Sequence, residues 1–212
     1  MDSHFLHLAT TPAVAAAQVK FQGRRLTGTA PSVPDEIGEV EREFIETRDT
    51  FYLATVTESG WPYVQHRGGP AGFLRVLAPD TIAFADVRGN RQMLTTGNVA
   101  ANDRVALILM DYPQRSRLKI IGHARIIPAK EDPKLAAQLT IPGMAAPERL
   151  VTIRVVAFDW NCPKYITPRY TEAEVEAVIG PMRDRIRELE TQLTILPRSQ
   201  THSVESRNAR TG

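Results

Sequence analysis

Among 212 residues there is one cysteine, Cys162, so no disulfide closes within the chain. A reducing compartment, the cytoplasm, is the expected location. Long apolar runs are missing too: the longest, Val105-Ala106-Leu107-Ile108-Leu109-Met110, falls far short of the ~18 residues a membrane helix needs. No membrane partner is expected. One-sided charge is also absent, with 26 Lys and Arg against 24 Asp and Glu and a net charge of +2. Nucleic-acid binding usually leaves a large basic excess, so no nucleic-acid partner is expected. The start, Met1-Asp2-Ser3-His4, carries no basic run ahead of an apolar stretch, which argues against a secretory signal.

Several catalytic templates are lacking. There is no Gly-x-Ser-x-Gly elbow, Walker A loop, His-Glu-x-x-His or Gly-x-Gly-x-x-Gly, which argues against the hydrolase, nucleotidase, metalloprotease and Rossmann readings those motifs carry. The five histidines show no metal-ligand spacing beyond the weak His4/His7 pair, so no metal is expected. Cys162 precedes Pro163 with no histidine nearby and reads as a structural thiol rather than a nucleophile.

Hydrophobic residues at 42% and charged ones at 24% match a packed globular chain, one domain with appendages. Residues 1–31 read as a short helix over Pro12 to Val19 and a linker. Ser32-Val33-Pro34-Asp35 resembles an N-cap, and Ile37, Val40 and Phe44 recur at helical spacing, which predicts a helix from Pro34 to Thr47. Phe51 to Thr57 and Trp61 to Gln65, separated by Glu58-Ser59-Gly60, predict a hairpin. Further strands are predicted at 72–77, 81–85, 105–110, 117–127 and 150–158, with helical interruptions at 91–96 and 133–139. So many short strands over 32–170 imply a mainly β domain, a barrel or a sandwich, with flanking α. From Thr171 the spacing of Ile179, Met182, Ile186, Leu189, Leu193 and Leu196 predicts an amphipathic helix over 171–197 with a short heptad seam. That seam packs on the barrel or pairs in a dimer. The polar tail, 198–212, is expected to be disordered.

Four stretches carry candidate chemistry. His66-Arg67-Gly68-Gly69-Pro70 leaves a strand with a cation and two glycines; glycines admit a ligand close to the backbone, and a plain turn is the alternative. Asp86-Val87-Arg88-Gly89-Asn90-Arg91-Gln92 sets two guanidinium groups and two amides at a strand end ahead of a helix, a combination suited to phosphate, or else a solvated loop. Arg115, Arg117 and Lys119 alternate along a strand and so share a face, toward an anion or toward water. Phe158-Asp159-Trp160-Asn161-Cys162-Pro163-Lys164-Tyr165 and the residues to Tyr170 are rich in aromatics with polar tips, suited to stacking on a flat ring or to strapping the core.

Taken together, the 34–47 helix, Phe51-Tyr52-Leu53-Ala54-Thr55-Val56 with Gly60-Trp61-Pro62, and Gly89-Asn90-Arg91-Gln92 resemble the pyridoxamine 5'-phosphate oxidase-like family of FMN-binding split β-barrels. The resemblance is strongest from Asp35 to Ile127. Trp160-Asn161-Cys162-Pro163 with Ile166-Thr167-Pro168-Arg169 is similar to a branch of flavin-nucleotide-binding proteins. It implies a split barrel with a C-terminal helix, FMN as cofactor, and an oxidoreductase acting on a small-molecule substrate by electron or hydride transfer. The family's Ser-Arg-Lys phosphate turn, after Phe-Thr-Asn, corresponds to the stretch from Phe84-Ala85-Asp86 to Gln92, where an arginine replaces lysine. The strand holding His66, Arg67 and Gly68 would run along the isoalloxazine edge, and Lys119 would lie near the phosphate or ribityl chain. In a homodimer with flavins at the subunit interface, Trp160, Asn161 and Arg169 would approach the flavin of the other chain. The family's C-terminal Arg-x-His substrate motif does not occur, Thr167-Pro168-Arg169-Tyr170 being the nearest text, so the substrate stays open. A non-catalytic flavin carrier or sensor, or a haem- or deazaflavin-binding relative, are the alternatives.

Overall fold

Strict alternation builds the first strand. In β1 (Thr50–Val56) Phe51, Leu53 and Thr55 are buried while Tyr52 faces out, so one face of a period-two element enters a core. Gly60, at φ +88°, supplies the left-handed backbone of the turn into β2 (Pro62–Gly68), whose register pairs Val56 with Pro62 and Thr50 with Gly68. The structure is a computed structural model in which residues 4–26, 33–160 and 164–195 are described. Five more strands follow: β3 (Leu74–Ala78), β4 (Thr81–Val87), β5 (Arg104–Asp111), β6 (Ser116–Pro128) and β7 (Pro147–Trp160). They form one antiparallel sheet in the order β2-β1-β5-β6-β7-β4-β3.

The sheet curls on itself. Phe51 of β1 meets Phe84 of β4 edge-on, ring centroids 5.3 Å apart, although three strands separate the two in the sheet order. Phe73 stacks on Phe51 at 5.5 Å. Between the edges β2 and β3 no ladder forms, while Arg67 of β2 reaches Asp86 of β4 across that gap at 2.6 Å. This is a split β-barrel, its interior filled by Leu53, Leu74, Ile82, Leu109, Leu118, Ile120 and Ile153. A second, smaller cluster of Ala83, Leu139 and Leu150 lies under α5 (Pro133–Leu139).

Two helices begin later than their spacing predicts. α3 runs over Glu39–Glu46, not from Pro34. The Asp35 amide donates to the Val156 carbonyl, its carboxylate accepts from the Phe158 amide, and the Ile37 amide donates to the Pro79 carbonyl, so tertiary bonds hold 35–37 extended. α4 runs over Leu94–Ala101, not 91–96, because Arg91 and Met93 adopt φ of 62° and 55°, which no right-handed helix contains. The N-terminal segment forms α1 (His4–Ala9), which the residue spacing did not reveal, and α2 (Pro12–Gln22).

A Cβ at Gly122 would stand 2.3 Å from the Arg154 carbonyl oxygen, at the register shift between β6 and β7. Gly122→Ala is therefore expected to destabilise the barrel by about 1–3 kcal/mol, an overpacking cost. Urea unfolding would register it as a lower midpoint at constant slope, and an unmoved midpoint would show that the strands yield freely there.

The chain divides into two compact units, Met1–Pro168 and Arg169–Gly212. In the second, α6 (Glu172–Ile195) starts on Thr171, whose amide donates to Glu174 Oε2 at 2.7 Å while the Glu174 amide donates back to Thr171 Oγ1 at 3.2 Å. That reciprocal pair is a capping box. The tail at 198–212 lies outside the described residues.

Candidate functional site

On β2 the inward-facing residues are Tyr63, Gln65 and Arg67, because Arg67 pairs with the buried Phe51 and Gln65 with the buried Leu53. They open onto a cleft closed on its other side by Asp86 and Val87 of β4, the turn Gly89 to Met93, the first turn of α4 and Arg149 of β7. Asp86 is its electrostatic centre. One carboxylate oxygen accepts from Arg67 Nη1 at 2.6 Å and the other from Arg149 Nε at 2.7 Å. The three side chains are 10–19% exposed, so these pairs sit in a medium where charge-assisted bonds are strong. Arg67 also lies over the Phe84 ring at 5.6 Å, and its Nε is buried with no hydrogen-bond partner among the described residues. Thr95, itself buried, donates to Gln65 Oε1 at 2.8 Å and fixes that carboxamide in the cleft wall.

The turn is wound by its own side chains. The Gln92 amide donates to Asn90 Oδ1 at 3.1 Å, an Asx turn, and the positive φ of Arg91 and Met93 on either side concentrates backbone strain in the cleft rim. Arg91, with 59% of its side chain exposed, touches Glu148 only at 3.8 Å. Three arginines thus face two carboxylates, Asp86 and Glu148, and one positive charge is in excess. At about 60 Å³ the cleft is well below the ~300 Å³ of a pocket that engulfs a cofactor-sized ligand. A phosphate fits such a space; a three-ring flavin does not.

A family model for pyridoxamine 5'-phosphate oxidase matches residues 37–159. The chain belongs to the pyridoxamine 5'-phosphate oxidase family. The matched span holds every cleft residue and leaves out α1, α2, Asn161, Arg169 and α6. No curated protein matches the chain. Among solved structures it is similar to HupZ of Group A Streptococcus, at 17% identity over 63% of this chain and 99% of that one, TM-score 0.47. It is also similar to a putative pyridoxamine 5'-phosphate oxidase of Lactobacillus delbrueckii, at 20% identity over 58% of this chain and 93% of the other, TM-score 0.45. An FMN-binding protein of Syntrophomonas wolfei is 13% identical over 57% and 83% of the two chains, TM-score 0.41.

Within the family barrel, the residues expected at the site divide between two faces. Arg67, Asn90, Arg91 and Gln92 converge on the cleft. Arg88 is exposed and stands outside its lining. His66 and Lys119 point the other way: the ladder registers string His66, Tyr52, Ile108, Lys119 and Asp159 into one row across the outward face. There the Thr50 hydroxyl bonds His66, while the Lys119 ammonium sits 2.8 Å from Asp159 and 4.5 Å from the Phe5 ring centroid. Gly68 and Gly69 answer to packing, since a Cβ at Gly69 would stand 2.8 Å from Phe73 and one at Gly68 3.1 Å from His66. Trp160 is turned into its own barrel, edge-on to Phe44 at 4.7 Å, with Nε1 donating to Glu41 at 2.9 Å. Asn161 lies outside the described residues, and Arg169 opens the second unit.

Asp86, Thr95 and Arg149 join the site beyond the residues the sequence singled out as binding. Asp86 stood inside the quoted turn without a role. Arg149 had no signal, because its place comes from the β4–β7 register, which sets it opposite Asp86 from 63 positions away.

Proposed function

We propose that the chain is an FMN-dependent oxidoreductase, working as a cytoplasmic homodimer with a flavin at each subunit interface. The observation that carries this reading is the cleft of Arg67, Asp86, Arg91 and Arg149 with the Asn90–Gln92 turn. It offers guanidinium and amide donors and one excess positive charge at the size of a phosphate. Asp86 aligns two guanidinium groups, Arg91 supplies the exposed cation, and Gln65, held by Thr95, presents an amide beside them. The bound flavin supplies the hydride or electron transfer; the chain's residues bind, orient and shield. Residues 32–170 would form the binding domain.

The dimer reading rests on the cleft's size and on the outward face of β2-β1-β5-β6. The cleft takes the phosphate, so the ring needs walls from elsewhere. The outward face shows Tyr52 at 37% and Val64 at 61% exposure beside Ala54, Ala106 and Ile108, apolar surface that a second copy would cover. His66 and Lys119, on that face, would then reach a ligand held by the partner.

Titration of apo protein with FMN and riboflavin tests the anchor. Arg91→Ala is expected to weaken FMN binding by about 1.5–3 kcal/mol, ten- to more than a hundredfold in Kd, and riboflavin binding little. Equal losses for both would remove the turn from phosphate binding. Reduction by NADH or NADPH with turnover separates an enzyme from a flavin carrier. Carboxylates of the cleft are all ion-paired, which suits either role, since neither needs a side-chain acid or base.

A further inference from the structure

We infer that α6 pairs with α6 of a second copy as a parallel, two-stranded coiled coil. Its apolar residues Val175, Ile179, Met182, Ile186, Leu189 and Leu193 follow one another at steps of four and three, the heptad spacing, and are 38–69% exposed. That stripe is contiguous apolar surface of the kind that proteins cover. Steps beginning with four place Val175, Met182 and Leu189 at d and Ile179, Ile186 and Leu193 at a. Ile179 and Ile186 at a with Leu189 at d are the β-branched-a, leucine-d pattern that favours two parallel strands, while Val175, Met182 and Leu193 complete the seam without adding to that preference. Gly180 and Pro181, the weakest helix formers in α6, then fall at b and c, on the side away from the seam.

The flanking charges choose the orientation. In a parallel pair each g residue faces the partner's e residue five positions on, so Arg185 meets Glu190 of the other chain, twice by symmetry, and Val178 meets Arg183. No like charges face each other. The antiparallel alignment of full overlap would set Glu176 against Glu190, Arg183 against Arg183 and Arg185 against Arg185. Like-charge juxtaposition of that kind selects against it.

A coil of under three heptads is marginal by itself. Linkage to barrels that already pair would raise the effective concentration of the two helices toward the millimolar range. In that respect alone the inference rests on the homodimer proposed above. It requires no flavin.

Cross-linking in the full chain decides it. Leu189→Cys brings two d-position thiols together in the parallel coil, so mild oxidation is expected to join chains at least ten times faster than in Thr191→Cys, at the outward f position. The unsubstituted protein reports what Cys162 does alone. Equal rates at 189 and 191, or no cross-link at 189, overturns the proposal. Preferential joining of Leu189→Cys chains to Ile179→Cys chains marks the antiparallel pairing and overturns it too. As a second measure, Glu190→Arg should slow the Leu189→Cys cross-link and Arg185→Glu added to it should restore the rate; failure of the rescue removes the g–e' pairing that sets the orientation. Flavin content of the same samples separates this inference from the flavin reading: cross-linking without flavin would sink the latter and leave the coil.

Discussion

Asp86→Ala is expected to cost about 3–5 kcal/mol of stability, the range found when one partner of a buried ion pair is removed and the other charge stays behind. Here two charges stay behind. Arg67 and Arg149 both aim at the carboxylate, at 2.6 and 2.7 Å, from strands on either side of it in space, and neither is more than 19% exposed. Without Asp86 the two guanidinium groups repel across a gap that the β-ladder does not close, since among the described residues β1 is the one strand that pairs with β2. The split edge of the barrel is therefore where the damage should appear. Asp86→Asn keeps one acceptor oxygen for one of the two arginines and turns an amide donor toward the other, so it should cost less than the alanine without restoring the triad. Chemical denaturation of the two variants measures this, and a loss under 1 kcal/mol for Asp86→Ala would mean that water already screens the triad. Hydrogen exchange adds location: amides of β2 and β4 should lose protection before those of β6 and β7.

That triad also marks the limit of what the sequence discloses. Strands were legible because burial on one face writes period-two alternation into residues such as Phe51, Leu53 and Thr55, and glycine or proline turns separate the runs. That Asn90, Arg91 and Gln92 gather at one cleft was legible for a local reason, since cations and amides within five residues must end up near one another. Arg149 was not, because nothing short of the β4–β7 register places it beside Asp86. Helix starts were misplaced where tertiary bonds or backbone strain overrule spacing, at Asp35 and at Met93. Gly69 illustrates an ambiguity of residue type: a missing Cβ serves a ligand or a neighbouring ring equally well, and here the Phe73 side chain stands at the position.

Trp160→Ala is expected to lower stability by about 3 kcal/mol, the low end for a large aromatic because the indole is half-buried. The side chain closes β7 onto α3: its ring meets Phe44 edge-on at 4.7 Å, and Nε1 donates to Glu41 at 2.9 Å. Glu41 uses its other oxygen to accept from the Gly38 amide at 3.1 Å, so the same carboxylate fixes the start of α3 and the end of the last strand. Removing the indole therefore loosens a helix terminus as well as opening a cavity. Trp160→Phe keeps most of the ring contact and loses the N–H bond to a half-buried carboxylate that still accepts from the Gly38 amide, and should cost about 1 kcal/mol. Flavin emission distinguishes this role from one at the cofactor. An indole packed into its own barrel leaves the fluorescence of bound FMN unchanged in both variants while their melting temperatures fall. Brighter bound flavin with an unmoved melting temperature would instead place the indole against the isoalloxazine ring of the partner's site, as the family resemblance implied, and the contact with Glu41 would then be incidental to the fold.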